Sequence, residues 1–248
     1  MLALAVALCS GCGAQLTDGQ DPSLGGISTA PDAGPVDGGG TATPLCTSRS
    51  VYLSFDGETL IQGPSDATLN QASWMQIPLG VAPPYQGGNA NRAAVLRTIT
   101  DGVRAQLSQF PVNVTTTRPT SGKYMMIVFG GLASDVGSNF GGAVDELDCG
   151  DTRPNDVAWI SDNGKSNQRA INSAIGAIGF GLGLTATTDM HDCMCGWDNN
   201  CSRDDSVPCR LGSPIARDPN ARQLCPNLTN PDLTPQDEVA AIRAAFCP

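Results

Sequence analysis

Short apolar runs and one periodic stripe alternate along the chain and predict its first strands and helix. Residues 51–55 and 124–129 are mainly apolar, and each run ends at a glycine-containing turn, as buried strands do. Between these runs, apolar side chains recur at steps of three and four, the spacing of one face of a helix. They are Leu96, Ile99, Val103, Leu107 and Phe110, and Pro111 predicts the end of this helix.

The second half of the chain continues this alternation. Residues 112–116 and 156–160 predict two further strands, and residues 165–183 begin as a helix before they become rich in glycine. A last short helix is predicted over 235–246, whereas 58–88 predicts no element. The order strand, helix, three strands and helix indicates an α/β fold with a mixed sheet.

The first twelve residues have the composition of an export signal. A short apolar run ends in small residues before a cysteine, and Ser10-Gly11-Cys12 resembles the lipobox of bacterial lipoproteins. This resemblance implies a lipid on Cys12. We therefore expect residues 1–12 to be a lipoprotein-type signal and the protein to be exported to a bacterial cell envelope, anchored to the outer membrane through its lipid. No basic residue precedes the apolar run, so we expect the true start to lie further upstream.

Residues 13–45 are predicted to be a flexible tether. They are rich in glycine, proline, aspartate, serine and threonine and contain almost no large apolar side chain. Such a segment buries too little surface to offset the entropy of ordering it. We therefore expect it to hold a folded domain, residues 46–248, away from the membrane.

Ten cysteines accompany a single histidine. If Cys9 leaves with the signal and Cys12 carries the lipid, eight cysteines remain, and an even number in an exported chain predicts disulfides whose pairing is open. These eight are Cys46, Cys149, Cys193, Cys195, Cys201, Cys209, Cys225 and Cys247. Because most of them follow residue 188, we expect a small disulfide-rich lower lobe over 188–248 and an upper lobe over 46–187.

Charge and histidine content exclude several function classes. Acidic residues outnumber basic ones by 24 to 14, a net charge of −10, and such a surface repels phosphate backbones, so we expect no nucleic-acid partner. The single histidine, His191, is expected to be a surface side chain and excludes sites that need several imidazoles. Asp198, Asp204 and Asp205 are candidate calcium ligands, although their spacing differs from that of an EF-hand loop.

One glycine-rich stretch, residues 176–187, resembles the zinc-binding segment of matrixin-like metzincin peptidases, whose pattern is H-E-x-G-H-x-x-G-L-x-H-[ST]. The residues outside the catalytic positions match this pattern at Gly179, Gly183, Leu184 and Thr187. Met194 follows the last histidine position at the spacing of the Met-turn in matrixins. The stretch is therefore identified as the active-site segment of a metzincin-like domain.

The positions that carry the chemistry are all replaced. Gly176, Phe180 and Ala186 stand where the family has its three zinc histidines, and Ala177 stands where it has the glutamate general base. None of these side chains can bind zinc or take a proton from zinc-bound water. The resemblance therefore implies a metzincin-like mixed sheet with a backing helix and a degenerate active-site helix, with no zinc, no other required cofactor and no peptidase activity.

The resemblance also implies a ligand. In this family, substrate peptides lie extended along an edge strand and bind through backbone hydrogen bonds, which need no zinc. We therefore expect a vestigial cleft that binds a peptide or a protein. Two other interpretations of the glycine-rich stretch stay open: an ordinary buried helix followed by a loop, and a membrane helix over 170–188.

Two alternative functions also stay open. The first is a hydrolase with an unrecognised site, supported by calcium or by no metal at all. For that hydrolase, the acidic cluster of Asp145, Glu146 and Asp148 is the candidate pair of catalytic carboxylates. The second is a structural protein of the cell envelope.

Overall fold

A five-stranded mixed sheet forms the centre of the molecule. The structure, a computed structural model, describes residues 49–197, 201–221, 225 and 234–247. In chain order its elements are β1 (Ser50–Ser54), β2 (Glu58–Gln62), β3 (Gln71–Ala72), β4 (Leu79–Ala82), α1 (Arg92–Gln106), β5 (Asn113–Thr115), β6 (Tyr124–Phe129), α2 (Ala133–Val136), β7 (Ala143–Val144), β8 (Val157–Ile160), α3 (Asn167–Gly181) and α4 (Glu238–Phe246). The main sheet has the order β5-β1-β6-β8-β7, and every neighbouring pair is parallel except β7 with β8.

Two helices cover one face of this sheet. Side chains alternate along a strand, so β6 turns Met125, Ile127 and Phe129 into the apolar layer that it shares with α1 and α3. Gly102 brings the two helices together, because a β-carbon at this position would overlap the Ile171 side chain. Both predicted helices are confirmed, and they pack as one layer, although α1 ends at Gln106, before the end predicted at Pro111.

The other face of the main sheet packs on a smaller sheet. Strands β3, β2 and β4, in that order, form this three-stranded mixed sheet. The remaining side chains of β6, Tyr124, Met126 and Val128, are buried between the two sheets. Trp74 joins them, and its Nε1–H donates a 2.7 Å hydrogen bond to the Val157 carbonyl.

Residues 58–88, for which the sequence pattern predicts no element, form the smaller sheet. Its strands are two to five residues long. Proline and glycine interrupt the segment, so no stretch is long enough to show the two-residue period of a strand. The packing partner on the main sheet stabilises these strands, and a sequence pattern does not report such a partner.

The helix predicted from residue 165 is α3. It begins at Asn167 and ends at Gly181, before the end of the stretch 170–188 considered as a membrane helix. Within the described ranges, no helix is both long enough and apolar enough to cross a membrane.

Disulfides hold the loops that follow α3, as predicted. The described pairs are Cys149–Cys225, Cys193–Cys209 and Cys195–Cys201, and Cys247 is disulfide-bonded as well. The first pair joins the predicted upper lobe to the predicted lower lobe. Cys12 and Cys46, with the predicted signal over 1–12 and tether over 13–45, lie outside the described residues.

Candidate functional site

Helix α3 lies between the main sheet and the disulfide-bonded loops. Ser166 caps it, because its hydroxyl oxygen accepts a 3.1 Å hydrogen bond from the Arg169 backbone N–H. Every residue from Ala170 to Gly181 is buried. The glycine-rich half of the helix is thus an interior element, with its surroundings fixed by close packing.

The chain leaves α3 through a turn that requires glycine. Gly183 has a φ of +83°, a left-handed conformation that is costly for residues with a β-carbon. A β-carbon at this position would also lie 2.7 Å from the Asp148 carbonyl oxygen. The glycine that matches the family pattern here therefore has a structural reason in this chain.

Met194 lies under the helix. It is fully buried, and a β-carbon on Gly179 would lie 2.5 Å from its sulfur, so the glycine makes room for the methionine. Asp192 holds the turn, because its Oδ1 accepts hydrogen bonds from the Met194 N–H at 2.8 Å and from the Thr187 hydroxyl at 3.1 Å. Three residues singled out by the resemblance therefore meet around one turn.

An aromatic pair covers two of the positions that the resemblance assigns to zinc ligands. Trp197 stacks on Phe180, with ring centroids 5.3 Å apart and an interplanar angle of 27°. The indole also covers Gly176, where a β-carbon would overlap Trp197 Nε1 and lie 2.7 Å from the Cys193 carbonyl oxygen. We call Gly176, Phe180 and Trp197 the closed region. No imidazole fits at position 176 while Trp197 keeps this place.

The other two positions of the pattern are buried as well. Ala177, at the position of the general base, lies in the apolar layer between α3 and the main sheet. Ala186, at the third ligand position, is buried, and its carbonyl accepts a 2.8 Å hydrogen bond from the Asp218 N–H. Both methyl groups are packing groups with no capacity to bind a metal or a proton.

An open cleft lies beside the closed region. It encloses about 490 Å³ and is lined by the segment around β7, the start of α3 and the disulfide-bonded loops. The lining residues that matter below are Phe140, Ala143, Lys165, Arg169, Trp197 and Arg203. Phe140 is 40% exposed, and three of the six carry positive charge. We call this space the cationic cleft.

Strand β7 lines the cationic cleft through Ala143 and is the last strand of the main sheet. Of the strands that the structure describes, only β8 pairs with it, and Ala143 lies opposite Ile160. The Ser161 N–H donates a 3.0 Å hydrogen bond to the Gly142 carbonyl. Gly142 and Ser161, the pair next to Ala143 and Ile160, are therefore a hydrogen-bonded pair of the ladder. Because such pairs alternate in an antiparallel ladder, the N–H and C=O of Ala143 point away from β8.

The predicted acidic cluster forms an ion network around Arg153, in which the Glu146 side chain is 44% exposed. Asp145 and Asp148 are buried, and Arg153 contacts the carboxylates of Asp156 and Glu146, both at 2.9 Å. Burial raises the pKa of Asp156 to about 7, and burial together with the charge of Asp156 raises the pKa of Asp145 well above its usual range. Asp145 and Asp148 lie inside the fold and only Glu146 is accessible, so the three do not form an exposed pair that could flank a glycan.

A second carboxyl pair, Asp192 and Glu238, lies behind the Met194 turn. Both side chains are fully buried, and burial raises the pKa of the Asp192 carboxyl. Glu238 also accepts hydrogen bonds from the Gly212 N–H at 2.8 Å and from the Gln236 amide at 2.7 Å. Burial, followed by the charge of Asp192, raises the pKa of Glu238 to about 8. Burial therefore favours the protonated form of Glu238.

The remaining candidate ligands contact protein groups. His191 is exposed, with its Nδ1 3.9 Å from Asp204. Asp204 accepts two hydrogen bonds from the neighbouring serine, Asp205 pairs with Arg203 at 2.7 Å, and Asp198 lies outside the described residues. In the part of the chain that the structure describes, no group of three or more His, Cys, Asp and Glu side chains is arranged to hold a metal ion.

Sequence reasoning missed Trp197 and the cationic cleft. The spacing of Lys165 and Arg169 was an available signal, because residues four apart lie on one side of a helix start. The position of Trp197, inside the loop closed by Cys195–Cys201 and shortly after Met194, was a second one. Nothing in the sequence indicated that the same loops bring Arg203 to this place.

No protein-family model matches the chain, and no curated protein matches it either. The interpretation of the site therefore depends on its residues and on the geometry described above.

Proposed function

We propose that the chain is a catalytically inactive relative of the metzincins whose cleft binds an extended peptide or protein segment. The observation that carries this proposal is a contrast along α3. The closed region covers positions that the resemblance assigns to the zinc site, whereas the cationic cleft and the edge of β7 stay open. Binding along an edge strand depends on backbone hydrogen bonds and not on a metal.

Three features support the relationship to metzincins. A mixed sheet is backed by α1 and followed by α3, in the order that the resemblance implies. Gly183 ends the helix in a left-handed turn, and Met194 lies under the helix against Gly179. These features belong to the framework of the family motif, and they are retained although the ligand positions are not.

The four side chains at the positions of the family motif cannot perform zinc-dependent hydrolysis. Such an enzyme uses zinc to lower the pKa of a bound water and a carboxylate to take the proton of that water. A hydrogen at Gly176, a phenyl ring at Phe180 and methyl groups at Ala177 and Ala186 provide no lone pair for either step. A peptide in the cleft is therefore held and not cleaved.

The proposed mode of binding is the addition of a short strand to β7. The outward N–H and C=O of Ala143 would form a pair of hydrogen bonds with one residue of an extended peptide. Phe140 and Trp197, which line the same cleft, would contact apolar parts of the ligand. Alternate side chains of the peptide would point into the cleft, because side chains alternate along a strand.

A backbone substitution tests this mode directly. Ala143→Pro removes the outward N–H and leaves the bonds between β7 and β8, since proline is tolerated on an edge where the N–H faces away from the ladder. Ala143→Val adds similar bulk and keeps the N–H. On an array of short peptides, the wild-type chain and Ala143→Val should bind the same subset, and Ala143→Pro should bind it about tenfold more weakly.

Two results would overturn the proposal. One is the absence of peptide binding above background in the wild-type chain. The other is equal binding by Ala143→Pro, which would move the ligand away from β7. The same preparation should leave casein and a panel of glycans intact, and cleavage of either would instead favour the hydrolase interpretation.

We also propose that the protein is exported and anchored through a lipid on Cys12. The disulfides among the described cysteines support export, because such bonds persist in oxidising compartments. In cells that make the full chain, the N-terminal peptide should carry the mass of a lipid on Cys12, and the protein should fractionate with the outer membrane. Cys12→Ser should lose both properties, and an unmodified Cys12 in the wild-type protein would overturn this assignment.

A further inference from the structure

We propose that the cationic cleft selects acidic peptides, whose carboxylates contact Lys165 and Arg169. This inference rests on the proposed function and specifies the class of its ligand. Three of the chain's 14 basic residues line this one cleft. Of the described residues that line it, only Asp205 is acidic. The cleft is therefore a positive site on a protein whose net charge is −10.

Of the three basic side chains in the cationic cleft, Arg203 is the one held most firmly in place. Its side chain is only 8% exposed and pairs with Asp205 at 2.7 Å. Its Nη atoms also donate hydrogen bonds of 3.2 Å to the Ser173 hydroxyl and to the Cys193 carbonyl. These partners hold the guanidinium at the base of the cleft, and Asp205 is the carboxylate that balances it.

Arg169 shares that same carboxylate. Its Nε lies 3.3 Å from Asp205, and its side chain is about half exposed, at 53%. Two guanidinium groups on one carboxylate leave a net positive charge. The exposed part of Arg169 can therefore take a carboxylate of a ligand, and the planar fork of a guanidinium matches that geometry.

Of the three basic side chains, Lys165 has the least negative charge to balance its own. Its ammonium group donates a hydrogen bond to the Gly142 carbonyl, and no described residue forms an ion pair with it. Burial, followed by the charges of Arg169 and Arg203, lowers the pKa of Lys165 to about 8. A ligand carboxylate beside this ammonium would offset both the burial and the repulsion.

The position of Lys165 links this charge to the edge strand. Gly142, which accepts its hydrogen bond, directly precedes Ala143, whose N–H and C=O point away from β8. A peptide paired with Ala143 would therefore carry its inward side chains past Lys165 and Arg169. Aspartate or glutamate at such a position would gain a charged partner, and lysine or arginine would be repelled.

The chemistry of the surroundings favours an acidic peptide over a nucleic acid. A long polyanion would extend beyond the cleft onto a surface with an excess of negative charge and would be repelled there. A short acidic segment places its charges only where the basic side chains are. Its backbone also pairs with β7, which a free anion cannot do.

The test compares matched peptides on matched variants of the full chain. One peptide carries aspartate and glutamate, and its counterpart carries asparagine and glutamine at the same positions. The wild-type chain should bind the acidic peptide about tenfold more tightly, and added salt should reduce this preference. Lys165→Gln should remove most of the preference. Lys123→Gln, a change of the only other lysine, which is exposed, should keep it.

Lys165→Gln is designed to preserve the fold. The glutamine amide still offers an N–H for the Gly142 carbonyl but carries no charge. Competitive acylation of the wild-type chain provides a second readout, because the reaction proceeds at the uncharged amine. Lys165 should react faster than Lys123 near neutral pH, and the acidic peptide should protect Lys165 alone.

The outcomes separate this inference from the proposal on which it rests. If neither peptide binds, the proposed function fails. If both peptides bind equally, or if Lys165→Gln keeps the preference, acidic selection is wrong while peptide binding stands. If inorganic phosphate displaces the acidic peptide as effectively as the peptide itself does, the cleft is a site for small anions and selection of acidic peptides is overturned.

Discussion

Two regions along the same helix differ in what they leave accessible. Near its end, α3 carries Gly176 and Phe180, and Trp197 covers both. At its start, Arg169 and the preceding Lys165 line an open cleft of about 490 Å³ together with the edge of β7. The first region is filled with packing atoms, and the second is charged and open to solvent.

The comparison teaches that losing a reaction and losing a ligand are separable. Zinc chemistry needs a few donor atoms at fixed points, and the glycine and the aromatic ring at positions 176 and 180 provide none. Peptide binding uses an edge strand and side chains spread along the cleft. Under the proposed function, the replaced positions on α3 and the edge strand that would bind the peptide are separate parts of the molecule.

The largest expected effect on stability comes from a substitution at Gly176. Gly176→His introduces the residue that the metzincin pattern has at this position but places a side chain where Trp197 lies, and such overpacking should lower the free energy of unfolding by about 3 kcal/mol. Urea unfolding measures this loss. Gly88→Ala is the control, because a β-carbon there has no neighbour within 4 Å. A Gly176→His variant as stable as wild type would show that Trp197 moves aside easily.

A somewhat smaller effect is expected when the loop that carries Trp197 is released. Replacing both Cys195 and Cys201 with serine opens a disulfide around this residue and should cost about 2 kcal/mol. Acrylamide should then quench the indole fluorescence more strongly. Trp74 and Trp159, the other two tryptophans, are buried and provide a constant background. Unchanged quenching would contradict the role of this disulfide in holding the closed region.

Two buried carboxyls make the stability of the fold depend on pH. Burial raises the pKa of Asp156 to about 7 and that of Glu238 to about 8. The folded state thus keeps protons that the unfolded chain releases near pH 4, and this stability is lost as the pH rises through those values. The free energy of unfolding should be higher near pH 5 than near pH 8, by roughly 1 kcal/mol or more.

Asp192→Asn tests the origin of this dependence. The amide keeps an oxygen for Thr187 and Met194 and offers an N–H to Glu238, so the repulsion that holds the Glu238 proton disappears. Urea unfolding at several pH values should then show a shallower decline. Greater stability of the wild-type chain near pH 8 than near pH 5 would show that these groups do not dominate.

The smallest effect concerns the rim of the cleft. Phe140→Ala removes a side chain that is 40% exposed, so stability should change little. Peptide affinity should fall about threefold, because an aromatic contact at the edge of a site contributes modestly. Fluorescence anisotropy of a labelled peptide measures this change. A much larger loss would place Phe140 at the centre of the binding surface.

The core of the fold was predictable because its pattern is local. The stripe of α1 and the runs of β1 and β6 bury their apolar side chains against each other, so period and burial agree. The smaller sheet escaped prediction, since strands such as β3 exist only through packing on the main sheet. The two-residue strand β7, the edge on which the proposed binding depends, escaped for the same reason.

Some residues of the site could likewise be found from the sequence, and others could not. The resemblance assigns Gly176 and Phe180 to ligand positions from the spacing of glycines such as Gly179 and Gly183. The stack with Trp197 was not visible, since the disulfide-bonded loops set its position. Arg203 reaches the cleft through those loops as well, and no local pattern reports such a contact.

Native mass spectrometry of the untagged full chain, mixed with zinc and with the acidic peptide, tests the central claim most directly. The account predicts a complex with one intact peptide per chain, with zinc neither retained by the chain nor needed for the complex. Retention of one zinc per chain, together with cleavage of the peptide, would contradict it. That result would mean that the closed region opens and that a metal site forms there from other residues.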